Sequence, residues 1–289
     1  TMSAAQTFKP TGGLVEDLPM DVYRAAEGVS ASDLKNMQRS PAFARMRGNT
    51  STPAQEWGTA IHTAILEPET LSTRYKLEPQ QPADNEAKVW RSTKLFKEAK
   101  AELLSSPGLE GLLSQSEFDG LKQIQKRVSD NPIGAHLQAV KGISEASIFA
   151  WDDEFELWRK CRPDWFSEAA AMIVDVKSAN DHRAKPFTRA CVNFGYHMSA
   201  AYYLDTAELA GLVVDHYPFL VVNSAAPHEV ATYTLDEDSI AQGRFEYRKA
   251  LAEWRDCQNA GHWPGGSGEI QELRLPEYAI NFNQENDQW

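Results

Sequence analysis

Only three cysteines, Cys161, Cys191 and Cys257, occur in the 289 residues. Odd in number and far apart, they exclude a disulfide framework and a cysteine-built zinc site, and they fit a reducing compartment. No run of eighteen apolar residues is present, so no membrane span is expected. The start of the chain lacks the charged-then-apolar order of a secretion signal, and Thr1-Met2 reads as a cloning remnant. A cytoplasmic protein is the expectation. A basic surplus is lacking as well: 29 Lys and Arg stand against 41 Asp and Glu, a formal net charge of -12. That balance excludes a broadly adhesive polycation. Any nucleic-acid contact must then follow a confined basic track, with acids covering the rest of the surface.

What is present suits one large core. Residues 1–28, rich in Pro, Gly and polar side chains, read as an irregular N-terminal arm. Ser30-Ala31-Ser32-Asp33 is a capping-box pattern that opens a helix through Met37. Ser40-Pro41 starts a short second helix. From Pro53 to about Leu66, Trp57, Ala60, Ile61, Ala64 and Ile65 recur at helical spacing. Residues 67–84 read as a linker, and helical patterns over 86–105 and 115–140 form an insert spanning about 85–140. Strands are expected at 146–151, 155–162 and 171–178. A long helix is expected over 185–210, strands at 215–223 and 229–235, and a final helix over 236–259 whose acidic first turn suits the macrodipole. Residues 279–289 form a polar tail. The order indicates a mixed α/β (α+β) core in a single domain over 29–278.

The densest chemistry lies in Arg162-Pro163-Asp164 and, eleven residues on, Asp175-Val176-Lys177. Met172-Ile173-Val174 marks a buried strand, and side chains alternate along it, so Asp175 and Lys177 share one face. If the 155–163 segment pairs antiparallel with that strand, Asp164 and Asp175 converge, an arrangement that needs a cation between them. A carboxylate after three apolar residues is seldom left unpartnered, although Lys177 could also close a plain ion pair with it. His62 shares a helix face with Gly58, whose bare backbone permits close approach. Alone it reads as a satisfied half-buried histidine; beside two carboxylates it reads as a third ligand. Glu145 opens the first strand, either as a further acidic ligand or as an exposed edge residue. Tyr196, Ser199 and Tyr203 share a face of the following helix, which could meet a phosphate or pack on the strand. Candidate basic contacts to DNA are Lys35, Arg39, Arg45, Arg47, Arg159, Lys160, Arg162, Arg183, Lys185 and Arg189.

Together, Gly58-x-x-x-His62, Arg162-Pro163-Asp164, Asp175-x-Lys177 and the Tyr-rich helix resemble the PD-(D/E)xK nuclease superfamily. More narrowly they resemble its RecE-like exonucleases (exodeoxyribonuclease VIII type) of phages and prophages, over residues 28–278. Ser40-Pro41-Ala42, Leu66-Glu67-Pro68 and Trp263-Pro264-Gly265 support the match. The resemblance implies a central mixed sheet flanked by helices. It also implies Mg²⁺-dependent (Mn²⁺ substituting) 5′-to-3′ digestion of one strand of linear duplex DNA, leaving a 3′ overhang for recombination. Carried over, His62, Asp164, Asp175 and the Val176 carbonyl would bind the metal and Lys177 would activate water. A ring-shaped homo-oligomer and a RecT-like single-strand annealing partner are implied too. Ser199 departs from the family's usual Gln at that place. The alternatives are a catalytically silent DNA-binding protein on the same scaffold, or an endonuclease of the superfamily.

Overall fold

A computed structural model describes residues 8–46, 52–82, 85, 89–266, 268, 270 and 272–276. The chain begins with β1 (Gly13–Val15), α1 (Met20–Ala25), α2 (Ala31–Met37), α3 (Pro41–Arg45) and α4 (Pro53–Leu66). It continues through α5 (Leu71–Arg74), β2 (Tyr75–Leu77), α6 (Lys94–Leu104), β3 (Gly111–Leu113), α7 (Gln115–Ser129) and α8 (Pro132–Ala139). Then come β4 (Ile143–Ser144), β5 (Ser147–Asp152), β6 (Leu157–Cys161), β7 (Trp165–Ser167) and β8 (Met172–Ala179). The last elements are α9 (Ala184–Asn193), α10 (Tyr196–Leu209), β9 (Phe219–Asn223), β10 (Val230–Tyr233) and α11 (Glu237–Ala260).

The mixed α/β class holds. A five-stranded sheet in the order β10-β9-β8-β7-β4 forms the centre, with β8 and β9 parallel and the other neighbours antiparallel. Alternation along β8 and β9 sorts their side chains between two cores. Val174, Val176, Leu220 and Val222 meet Ala60, Ile61, Leu121 and Ile124 of α4 and α7. Ile173, Phe219 and Val221 meet Phe187, Cys191 and Ala200 of α9 and α10. A second sheet, β1-β5-β6, packs with α2, α10 and α11. Each such apolar face is stabilised by roughly 25 cal/mol per Å² removed from water.

Local signals explain the helix ends. Ser30, Thr52 and Ser114 each accept a hydrogen bond from the third helical residue's N–H, whose side chain accepts one in return from the cap's N–H. Such caps contribute about 1 kcal/mol each. Gly261, in the left-handed region, closes α11.

Several sequence expectations need correction. The described part of the 1–28 arm is not irregular: β1 pairs antiparallel with β5, and Leu18, Tyr23 and Ala26 are buried against Phe149. The 67–84 segment holds α5 and β2 between its prolines, and β2 pairs in parallel with β3. The 115–140 helix is two, because Asn131 ends the first and caps Pro132–Ala139 through its side chain. The 185–210 helix is also two, broken at Gly195 with φ of 61°. The 155–163 strand pairs with β5, and the partner of β8 is the three-residue β7. Arg47 lies outside the described residues. All three cysteines are free and buried. Among the described residues no helix is long and apolar enough to cross a membrane.

Candidate active site

Strand register brings the acids together. Trp165 of β7 lies opposite Val174 of β8 on one side and opposite Ser144 of β4 on the other. One residue further along both ladders, Glu145, Asp164 and Asp175 form a row across three strands. The Glu145 N–H donates to the Asp164 carbonyl at 3.0 Å. The Val176 N–H donates to Asp164 Oδ2 at 2.7 Å.

α4 supplies the imidazole. His62 Nδ1 stands 3.6 Å from Asp164 Oδ1. The approach depends on Gly58, where an added Cβ would lie 3.0 Å from Ser178 Oγ at the end of β8. Asp175 is only 5% exposed. Lys177 pairs with its Oδ1, and the Tyr217 hydroxyl donates to Oδ2 at 3.1 Å. The Lys177 ammonium also lies 5.2 Å from the centre of the Tyr196 ring.

These groups tune one another. Burial raises the Asp175 carboxyl and the nearby Asp164 charge adds to this, against the pull of Lys177, so that it titrates at about 6. Burial would raise Asp164 too, but the His62 and Lys177 charges hold it well below the usual carboxylate range. Burial also works against charge on His62 and Lys177. Asp164 overrides it for the imidazole, and Asp175 with Asp164 overrides it for the ammonium, so both are raised.

The sequence candidates thus separate. His62, Asp164, Asp175, Val176 and Lys177 come together, and Glu145 joins their row. A cleft of about 1060 Å³ runs past His62, Glu145, Lys177 and Tyr196, with Trp57 and Phe194 also on its wall. Arg162 is not free to grip a ligand. Its guanidinium donates to the Leu18 carbonyl, the Ser147 hydroxyl and the Glu145 carboxylate, at 2.7, 2.8 and 3.2 Å. Ser199 is 6% exposed inside α10, and the Tyr203 hydroxyl points to the Arg162 carbonyl at 3.5 Å, so neither lines the cleft. Arg159 is buried against Asp152 and Tyr247, and Lys160 donates to the carbonyls of Tyr23, Arg24 and Ala26. Neither can track a phosphate backbone. Arg45 borders a different cavity beside Trp263, while Arg183, Lys185 and Arg189 are exposed around α9, Arg183 paired with Asp181. Tyr217 was missed by the sequence reading, and only the pairing of Phe219 with Asp175 could have pointed to it.

Two carboxylates, an imidazole and a main-chain carbonyl make a donor set that fits a hard divalent cation. Among the described residues no three His, Cys, Asp or Glu side chains already stand as a finished metal cage. Lys177 and Tyr217 hold both oxygens of Asp175, so a cation would compete with them for that carboxylate.

Comparisons with known proteins bear on the family and the fold. A family described as a PDDEXK-like domain of unknown function (DUF3799) matches residues 30–276. The crystal structure of a candidate exonuclease from Eubacterium rectale shares the fold with a TM-score of 0.56 at 12% identity. The match covers 91% of this chain and 97% of that one. No curated protein matches the sequence.

Proposed function

Because this chain belongs to the PDDEXK-like domain family DUF3799, we propose that it is a divalent-metal-dependent exodeoxyribonuclease. Its substrate is the end of linear duplex DNA, and it degrades one strand in the 5′-to-3′ direction. The observation that carries the reading is the convergence of His62 from α4, Asp164 from the turn between β6 and β7, and Asp175 and Lys177 from β8, beside one cleft.

Asp164, Asp175, His62 and the Val176 carbonyl would hold the metal, with Glu145 as an outer carboxylate; Mg²⁺ is the proposed ion. When bound, such an ion supplies Lewis acidity toward a phosphate oxygen and acidifies a water. Water oxygen adds to phosphorus, the bond to the 3′ oxygen breaks, and the proton given up by the water is made good on that oxygen from solvent, leaving a 5′-phosphate and a 3′-hydroxyl. Lys177, held fully charged by its carboxylate neighbours, offsets the negative charge that grows on the phosphate oxygens. His62, braced on Asp164, fixes that carboxylate's orientation. Duplex ends reach the row along the cleft. Assembly into a ring around DNA, and cooperation with a single-strand annealing protein that takes up the 3′ overhang, complete the proposal and rest on the family resemblance alone.

A second reading is a non-cleaving DNA-binding protein, in which the Lys177–Asp175 ion pair is purely structural. Digestion of a linear duplex carrying a single 5′-phosphate and an end label separates the two. Loss of nucleotides from the 5′ end with Mg²⁺, none with EDTA, and none from Asp175→Asn is the expected result. Intact substrate with wild-type protein under all metals would sink the nuclease reading.

A further inference from the structure

β10 closes one end of the five-stranded sheet, and among the described residues β9 is the only strand that pairs with it. The Asn223 N–H donates to the Glu229 carbonyl at 2.8 Å, across the rung next to Val230 and Val222. Alternation along an antiparallel ladder then turns the main-chain groups of Val230 and Thr232 away from β9, toward the open edge. Tyr233 stands opposite Phe219, and both rings lie on the sheet face that carries α9. There Phe187 stacks on Tyr233, with ring centres 5.3 Å apart.

A cavity of about 470 Å³ opens beside this edge, between α9, the residues that follow β10 and the first half of α11. Phe187, Cys191 and Phe219 line it and are each no more than 5% exposed. Val192, 68% exposed, and Leu235 carry the apolar lining outward. Its charge has one sign: Asp236, Asp238 and Glu246 line the cavity, and no lysine or arginine does. Burial works against charge on Glu246, yet hydrogen bonds from Gln242, His197 and Gln38 hold it below the usual carboxylate range. A DNA strand does not suit such a lining, because its phosphates meet carboxylates. A second copy of β10, Val-Ala-Thr-Tyr, brings no positive charge to it. The occupant that matches both the open edge and the cavity is an extended, basic stretch of polypeptide with an apolar side chain.

We propose that β10 and the cavity under α9 dock an extended segment of a partner protein. The segment pairs with the β10 edge, places an apolar side chain against Phe187 and Phe219, and sets a neighbouring Lys or Arg among the three carboxylates. The proposal stands apart from the nuclease reading, since none of His62, Asp164, Asp175 and Lys177 lines this cavity.

The test is a selection of random short peptides by mRNA display on the full chain, with counter-selection on Thr188→Trp. Thr188 is an exposed residue of α9 that lines the cavity, so the larger ring fills it without entering the core. The recovered peptides should carry an apolar residue with Lys or Arg beside it. Synthetic copies should bind Thr188→Trp and Asp238→Lys about tenfold more weakly than wild type. Exchanging the peptide's basic residue for Glu should restore binding to Asp238→Lys and lose it on wild type. N-methylation of the peptide backbone should abolish binding at one set of alternate residues and spare the other set, as strand addition requires. Recovery of no peptide that a folded Thr188→Trp protein rejects overturns the proposal, as does recovery of acidic or uncharged sequences. N-methylation without effect at every residue overturns the pairing with β10. Self-association of the wild-type chain that Thr188→Trp abolishes would give this face to a second copy and overturn it as well.

Discussion

Asp164 and Asp175 face each other one rung beyond the Trp165–Val174 pair of the β7–β8 ladder, and they share their charge unequally. Asp164, braced by His62 and Lys177, is held low, whereas Asp175 is pushed up to about 6. Their contributions to stability therefore run in opposite directions with pH. The depressed Asp164 stabilises the fold above its unfolded value, near 4, and that contribution is lost as pH falls through its folded value. The raised Asp175 favours the fold at low pH, and that contribution is lost as pH rises from about 4 through about 6. Above pH 6 both acids are ionised, and Lys177 is the charge that makes the pair tolerable.

Replacing Lys177 by Met should accordingly destabilise the protein most at alkaline pH. At pH 8 the expected loss is about 3 kcal/mol, the usual consequence of stranding a buried charge. At pH 5, where Asp175 takes up a proton, most of the loss should vanish. Calorimetric melts at the two pH values measure this. An equal deficit at both would show that the lysine acts by packing rather than by charge.

A bound divalent cation should take over part of that role. With Ca²⁺ or Mg²⁺ at a hundred times its dissociation constant, stabilisation of about 2.7 kcal/mol is expected. For a chain of this size that corresponds to an upward shift of about 4–5 °C. Asp175→Asn should abolish the shift and digestion together while remaining folded. A shift that survives in Asp175→Asn would place the cation elsewhere.

The fate of Arg162 is checkable in the same way. Its three hydrogen bonds tie β6 to the Leu18 segment, to β5 and to Glu145. Arg162→Met should destabilise the protein by about 2–3 kcal/mol, since buried acceptors lose a charged donor. The salt dependence of DNA binding should stay as in wild type, because no phosphate contact is removed. A shallower slope would restore the DNA-gripping role expected from sequence.

The reach of the sequence can be judged from such residues. Helix α4 was legible from Pro53 to about Leu66, because the proline at its start and the apolar spacing that follows both act locally. The Asp-x-Lys strand was legible because alternation is a property of the strand itself. Arg159 and Arg162 were misread because burial of an arginine depends on which distant carbonyls and rings surround it. The break at Gly195 was hidden by the apolar spacing on both sides, which continues as though the helix did. Strand pairing was the weakest point: a three-residue strand such as β7 carries almost no periodic signal. The convergence of Asp164 with Asp175 was nevertheless anticipated, through the wrong partner strand.

Two glycines, Gly58 of the His62 motif and Gly243, which no motif singled out, test how closely the helices must approach. Gly58 and Gly243 both sit inside helices, where alanine would ordinarily be favoured by about 1 kcal/mol. At Gly243 an added Cβ would lie 2.3 Å from the His197 carbonyl oxygen and 2.6 Å from its carbon. Backbone cannot yield, so α11 must move away from α10, and Gly243→Ala should be destabilised by about 3 kcal/mol or more. At Gly58 the obstacle is the Ser178 hydroxyl at 3.0 Å, a rotatable group. Gly58→Ala should therefore leave the melting temperature within a few degrees of wild type. Its effect should fall on cleavage, by about tenfold, as α4 and His62 ride outward from Asp164. Adding Ser178→Ala removes the obstructing oxygen and should restore cleavage and release the helix-propensity gain. If the double variant cuts no better than Gly58→Ala alone, the glycine serves something other than the approach of His62 to the acids.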